Sequence, residues 1–251
     1  MNSSWKASRG FGCALVIILL SFGMNQVLRV AYGGNAGFAD WLTAHSYFGE
    51  FSFHVLQGGM WVLVAYLFAG VQPFTVFVRE TGFAKRFTFS DWLFATGAIG
   101  LALLDLYFIQ KGWGEENAPA KRFYRAGQVV WLTHLAQSAL LAPFVEETVM
   151  RGFLYRAFRG SYGLFLSSLL VLCFQSYFHW GLIARDLTAL VFMIAFGAIL
   201  CVIRERTQNT WSCVLFHAVY NLTVLRQWLF SVIAMVILLL LCYRSLRTKA
   251  A

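Results

Sequence analysis

Apolar residues fall along this chain in long blocks rather than in strict alternation or narrow stripes. A helix that crosses a bilayer needs about 20 largely apolar residues. The blocks predict eight spans, at about 11–30, 52–72, 91–110, 128–150, 161–180, 187–203, 210–225 and 227–243. The first follows Lys6 and Arg9, as the core of a secretory signal would. Its run from Phe11 to Leu28 is long and no small-x-small site ends it, so it reads as a retained span. The stretch 111–126, KGWGEENAPAKRFYRA, mixes charge with aromatics and suits a segment lying at the membrane interface. Neither a repeat nor a low-complexity linker divides the chain, and residues 1–251 read as a single integral membrane domain.

Composition narrows the choice. The 251 residues are 59% hydrophobic and only 12% charged, about half the charge of a soluble domain. That cannot clothe a water-facing surface. The 25 Phe, 10 Tyr and 9 Trp exclude a solvated coil, and the lack of long alternating segments argues against a β-barrel. The expected fold is all-α: a polytopic transmembrane helical bundle of about eight spans.

The net charge of +9 does not point to nucleic acid, because the basic residues are scattered between apolar runs and form no aromatic-lined face. They set orientation instead. With the N-terminus inside, thirteen basic residues (Lys6, Arg9, Arg79, Lys85, Arg86, Arg151, Arg156, Arg159, Arg204, Arg206, Arg244, Arg247 and Lys249) face seven outside (Arg29, Lys111, Lys121, Arg122, Arg125, Arg185 and Arg226). That balance predicts both termini in the cytoplasm. The five cysteines all sit in apolar runs without a CxxC pair, so neither a disulfide framework nor a zinc knuckle is expected.

An ionisable residue at membrane depth is expensive and marks function by default. Eight of the eleven acids, Asp91 and Glu205 among them, fall in loops or at span ends. Asp105, Glu146 and Glu147 do not. Asp105 reads as a structural partner for His54, His134 or Lys111. Pro143 is expected to kink the run between His134 and Glu146. In the string EETVMRG, Arg151 follows Glu147 by one helical turn and can neutralise it. That leaves either a plain structural ion pair or a second carboxylate, Glu146, free for proton transfer.

His179 lies 33 residues beyond Glu146, and their midpoint falls at the turn RGSYG over 159–163. Each is then about 24 Å from the turn, at 1.5 Å per residue, and the two are level across a helical hairpin. His217 and Asn221 stand at i, i+4 in HAVYN. They can present donors to an oxyanion or simply tie helices together.

EETVMRG, a histidine 33 residues on, and HAVYN together resemble the CPBP family of intramembrane endopeptidases, relatives of the type II CAAX prenyl proteases and of bacteriocin-processing and immunity proteins. The pattern EExxxR is met by Glu146, Glu147 and Arg151, and HxxxN by His217 and Asn221. The likeness covers about 128–225, with the spans over 11–110 outside it. The usual FxxxH is not met, since Gln175 stands four residues before His179 and Phe174 one position earlier.

The resemblance implies a catalytic site within the bundle, where Glu146 with His179 activates water, His217 and Asn221 stabilise the oxyanion, and Glu147 and Arg151 support them. No cofactor is expected. If the enzyme is metal-dependent, Glu146, His179 and His217 are the three ligands of an open zinc site. Size and resemblance place the protein in a bacterial inner membrane, acting on a membrane-associated or lipidated peptide or protein. Two rivals are a non-catalytic membrane immunity or scaffold protein and a proton-coupled transporter. The transporter would show repeated halves, which the sequence lacks.

Overall fold

A computed structural model describes residues 5–34, 46–86, 135–184 and 188–224, together with 89, 91, 92, 96, 100, 132 and 133. The predicted span 227–243, most of 91–110, the stretch 111–126, Asp105 and His134 lie outside the described residues. Among the described residues all regular structure is helical. In chain order it comprises α1 (Ala7–Gly34), α2 (Ser46–Ala69), the short α3 (Phe74–Glu80), α4 (135–159), α5 (Leu164–Phe178), α6 (Trp180–Ile183), α7 (Thr188–Thr207) and α8 (Thr210–Val224).

Two helical stretches, Ala7–Val27 and Phe51–Ala69, are long and apolar enough to cross a membrane, and only 22% of each is buried. Leu15, Leu19, Phe22, Leu56, Leu63 and Leu67 point outward. In water that surface would be an association liability; in a bilayer it is the solvated face. Inside, α4 is the centre, packing against α1, α2, α5, α7 and α8. Val149, Phe153, Leu154 and Ala157 of α4 are fully buried.

One end of the bundle gathers the polar chemistry. At the end of α2, Gly70 takes φ +62°, a left-handed conformation that glycine adopts without steric cost, and Arg9 Nη1 donates to the terminal Ala69 carbonyl at 2.6 Å. Arg156 bonds both the carbonyl and carboxylate of Glu80 and lies over the Trp5 ring. Arg159 grips Glu205 with Nη2 at 2.8 Å and Nε at 3.2 Å, and Tyr155 donates to the same carboxylate. Arg204 is buried, donating to the carbonyls of Arg151 and Thr81.

Several expectations change here. Asp91 is not at a wetted span end; it is fully buried, accepting from Asn209 Nδ2 at 3.1 Å and from the Ser212 hydroxyl. Arg204, one of the basic residues expected to set orientation, is buried and clamps backbone, because its long stem lets it reach two carbonyls at the junction of three elements. The span read as 128–150 continues as helix to Arg159. Helix continues through Pro143 with π-helical turns immediately before it, over Gln137–Leu141, where the wider turn accommodates the missing N–H. The stretch 161–180 is interrupted at His179, the C-cap of α5, with φ −99° and ψ 13°.

Candidate active site

The two glutamates stand on a short α-helical piece of α4, Ala142–Glu147, with π-helical turns on both sides, Gln137–Leu141 and Thr148–Leu154. Successive residues on an α-helix point about 100° apart, so Glu146 and Glu147 address different neighbours. π-Helical turns inside α-helices recur at functional sites because they shift the side chains that follow. No hydrophobic period in the sequence announces them.

Glu147 faces α8 and is completely buried. Its Oε1 accepts from Arg151 Nη1 at 3.2 Å and lies 2.8 Å from His217 Nδ1. Arg151, also without exposure, sends Nη2 to Gln175 Oε1 at 2.7 Å and to the Gly197 carbonyl at 3.1 Å. One guanidinium thus ties α4, α5 and α7, and through Glu147 reaches α8. A Cβ on Gly197 would stand 2.2 Å from Leu172 Cδ2, 3.1 Å from Gln175 Oε1 and 3.2 Å from Arg151 Nη2. The missing side chain lets the α7 backbone pack closely on α5 and reach the cation. His217 packs edge-on against Phe196 at 4.9 Å, and Asn221, one turn on, donates Nδ2 to the Ser138 carbonyl at 2.8 Å.

The register of α8 is set at its start. Asn209 Oδ1 accepts from the Trp211 N–H at 3.0 Å, a capping contact worth about 1 kcal/mol. The buried Asp91 carboxylate holds the other end of the same amide.

Glu146 faces the other way, toward α2 and the end of α5. Its Oε2 lies 3.7 Å from His179 Nε2 and has no hydrogen-bond partner although buried. That separation exceeds a direct hydrogen bond; catalytic contacts in a free enzyme are often this loose. Glu146 also borders a cavity of about 60 Å³ shared with His54, Gln57, Trp61, Leu141 and Ala142.

The structure therefore sorts the predicted residues into two sets: Glu146 with His179, and Glu147, Arg151 and His217 joined by hydrogen bonds, with Asn221 one turn beyond His217. No group of three His, Cys, Asp or Glu side chains close enough to hold a metal occurs among the described residues, and His217 Nδ1 is occupied by Glu147. The set Glu146, His179 and His217 does not fit a metal as it stands, and no step below is routed through one.

Residues that the motifs did not single out for the site are Gln175, Gly197, Asp91 and the α2 side chains His54, Gln57 and Trp61. The α2 group had a readable signal. His54 and Gln57 are polar at i, i+3 on an otherwise apolar run, which puts them on one helical face.

Residues 128–223 match the family model of the Rce1-like type II CAAX prenyl endopeptidases. The match covers the same segment as the motifs and agrees with the family resemblance they carry. No curated protein and no solved structure matches the chain.

Proposed function

We propose that the chain is an intramembrane endopeptidase in which Glu146, oriented by His179, activates the attacking water. The observation that carries this reading is the pair itself: a carboxylate oxygen without a hydrogen bond, 3.7 Å from an imidazole nitrogen, at the wall of a cavity with room for water. Glu146 accepts a proton as the water oxygen bonds to the peptide carbonyl carbon. The carbonyl π-electrons move onto oxygen and give a tetrahedral alkoxide. When the alkoxide collapses, the C–N bond breaks and the proton held by Glu146 passes to the leaving nitrogen. The products are a carboxylic acid and an amine, and the acid proton then passes to the amine to leave a carboxylate and an ammonium group.

His217 and Asn221 supply the oxyanion contacts. With Glu147 ionised and accepting, the proton of His217 sits on Nδ1, which leaves Nε2 for the substrate. Nε2 donates in the imidazolium form, and Glu147 offsets the ring's charge. Asn221 has a second amide hydrogen beyond the one given to Ser138. Glu147 and Arg151 act by positioning His217 and holding α4 in register.

Residues 1–251 form one domain with eight spans in this reading, with both termini cytoplasmic in a bacterial inner membrane. The substrate is a membrane-associated or lipidated peptide or protein cut near a terminus. No residue is assigned to a cofactor, and a strong chelator should leave the rate unchanged. The test is cleavage in detergent: Glu146→Ala and His179→Ala should each lower kcat at least 100-fold, the scale of a lost general base. Turnover retained by either variant overturns the mechanism.

A further inference from the structure

The cavity beside Glu146 is built by two elements of different standing. One wall is α4, within the family-matched segment. The other is α2, which lies outside it. The lining is split by chemistry: His54, Gln57 and Glu146 are polar, while Trp61, Leu141 and Ala142 are apolar. A peptide residue has the same split, amide on one side and side chain on the other. A lipid chain would not use the polar half.

Trp61 is held firmly. Its indole N–H donates to Ser21 Oγ of α1 at 2.9 Å, and its ring packs on Phe178 with centroids 4.3 Å apart. Phe178 directly precedes His179, so the wall is tied to the helix end that carries the imidazole. The approach of α2 to α4 is also fixed, because a Cβ on Gly58 would fall 2.7 Å from Val145 Cγ2. The space cannot relax readily around a larger guest. At about 60 Å³ it is well under half of the ~150 Å³ cavity that admits a benzene ring.

Building on the endopeptidase reading, we propose that Trp61 of α2 is a specificity-determining residue, the wall that limits the substrate side chain beside the cleaved bond to one smaller than an aromatic ring. Selectivity in this protein is then set from a helix that carries none of the family motifs.

The experiment uses the full-length protein in detergent, with peptide substrates that differ at one residue. The bond cut by the unmodified protein is first located by mass spectrometry. The residue next to it is then varied among Ala, Val and Phe, and ratios of kcat/KM are compared within each protein sample. Such ratios cancel any loss of folded fraction.

The unmodified protein should prefer Ala or Val to Phe by about tenfold or more, the scale on which an apolar pocket discriminates. Trp61→Leu, and independently Leu141→Ala on the facing wall, should raise the Phe/Ala ratio about tenfold. Ala142→Val, which fills the space, should lower the Val/Ala ratio by a similar factor. Uniform losses on all three substrates overturn the role of Trp61 while leaving the endopeptidase standing. Failure of the unmodified protein to cut any peptide, including candidate membrane-anchored ones, overturns the endopeptidase reading and this inference with it.

Discussion

At the scale of single residues, the informative feature is that Arg151 is the buried charge on which four helices converge. Taking it away leaves buried Glu147 with His217 alone, and removing one partner of a buried pair costs about 3–5 kcal/mol. Arg151→Ala should therefore lower the unfolding free energy in detergent by that amount, read from denaturant titration. Gln175 is a gentler case. It occupies the position where the family pattern has Phe, and its Oε1 takes a hydrogen bond from the guanidinium at 2.7 Å. Gln175→Phe removes that acceptor, and hydrogen bonds to charged groups are worth about 1.5–3 kcal/mol. It should be destabilising even though it restores the family residue. An unchanged midpoint would show that the Gly197 carbonyl alone satisfies Nη2.

At the scale of elements, the ends of α4 and α7 are locked by Arg159 and Tyr155 on Glu205, beyond the predicted spans. The Arg159 hydrogen bonds, with help from Tyr155 and against partial burial, hold the Glu205 carboxyl below its ordinary value. A depressed folded pKa means stability that is fully present above the unfolded value, about 4.3, and lost as pH falls through the lower folded value. The thermal midpoint of the unmodified protein should exceed that of Glu205→Gln at pH 7, and the gap should close progressively below about pH 4. A gap that is constant with pH would rule the pair out as a titrating lock.

The same elements show how far the sequence could be read. The α4–α5 hairpin was legible because its apolar blocks, its glycine turn and the 33-residue spacing are properties of regular helix. What was illegible departs from regular helix or joins distant parts of the chain: the π-helical turns beside the two glutamates, the interruption at His179, and Asp91 reaching to hold the Asn209 cap of α8. Asp91 meets Asn209 at a separation of 118 residues, which no local pattern carries. The split of Glu146 and Glu147 toward separate histidines belongs to the same class. Adjacent residues in sequence look alike until two neighbouring helices are in place to distinguish them.

At the scale of the molecule, charge and depth together predict an orientation. The start of α1, the end of α2, α3, the α4–α5 turn and the α7–α8 junction meet at one end, joined by Arg9 to Ala69, Arg156 to Glu80, Ala7 to Ser161 and Thr210 to Gly82. That end gathers Lys6, Arg9, Arg79, Lys85, Arg86, Arg156, Arg159, Arg204 and Arg206. By the positive-inside rule, basic residues that close to span ends are expected on the cytoplasmic side. Glu146 lies ten residues along α4 from Arg156, roughly 15 Å at helical rise and half of a ~30 Å hydrocarbon core. The chemistry would then run near the membrane midplane, which water and substrate must enter from one face. In a background without native cysteines, Ala84→Cys at the basic end should react with an impermeant maleimide only after cells are permeabilised. Asn117→Cys, in the stretch predicted to lie outside, should react in intact cells. The reverse pattern would invert the molecule in the membrane and require the basic cluster to have been carried across, against a cost of about 1 kcal/mol for each Lys or Arg drawn away from an anionic inner surface.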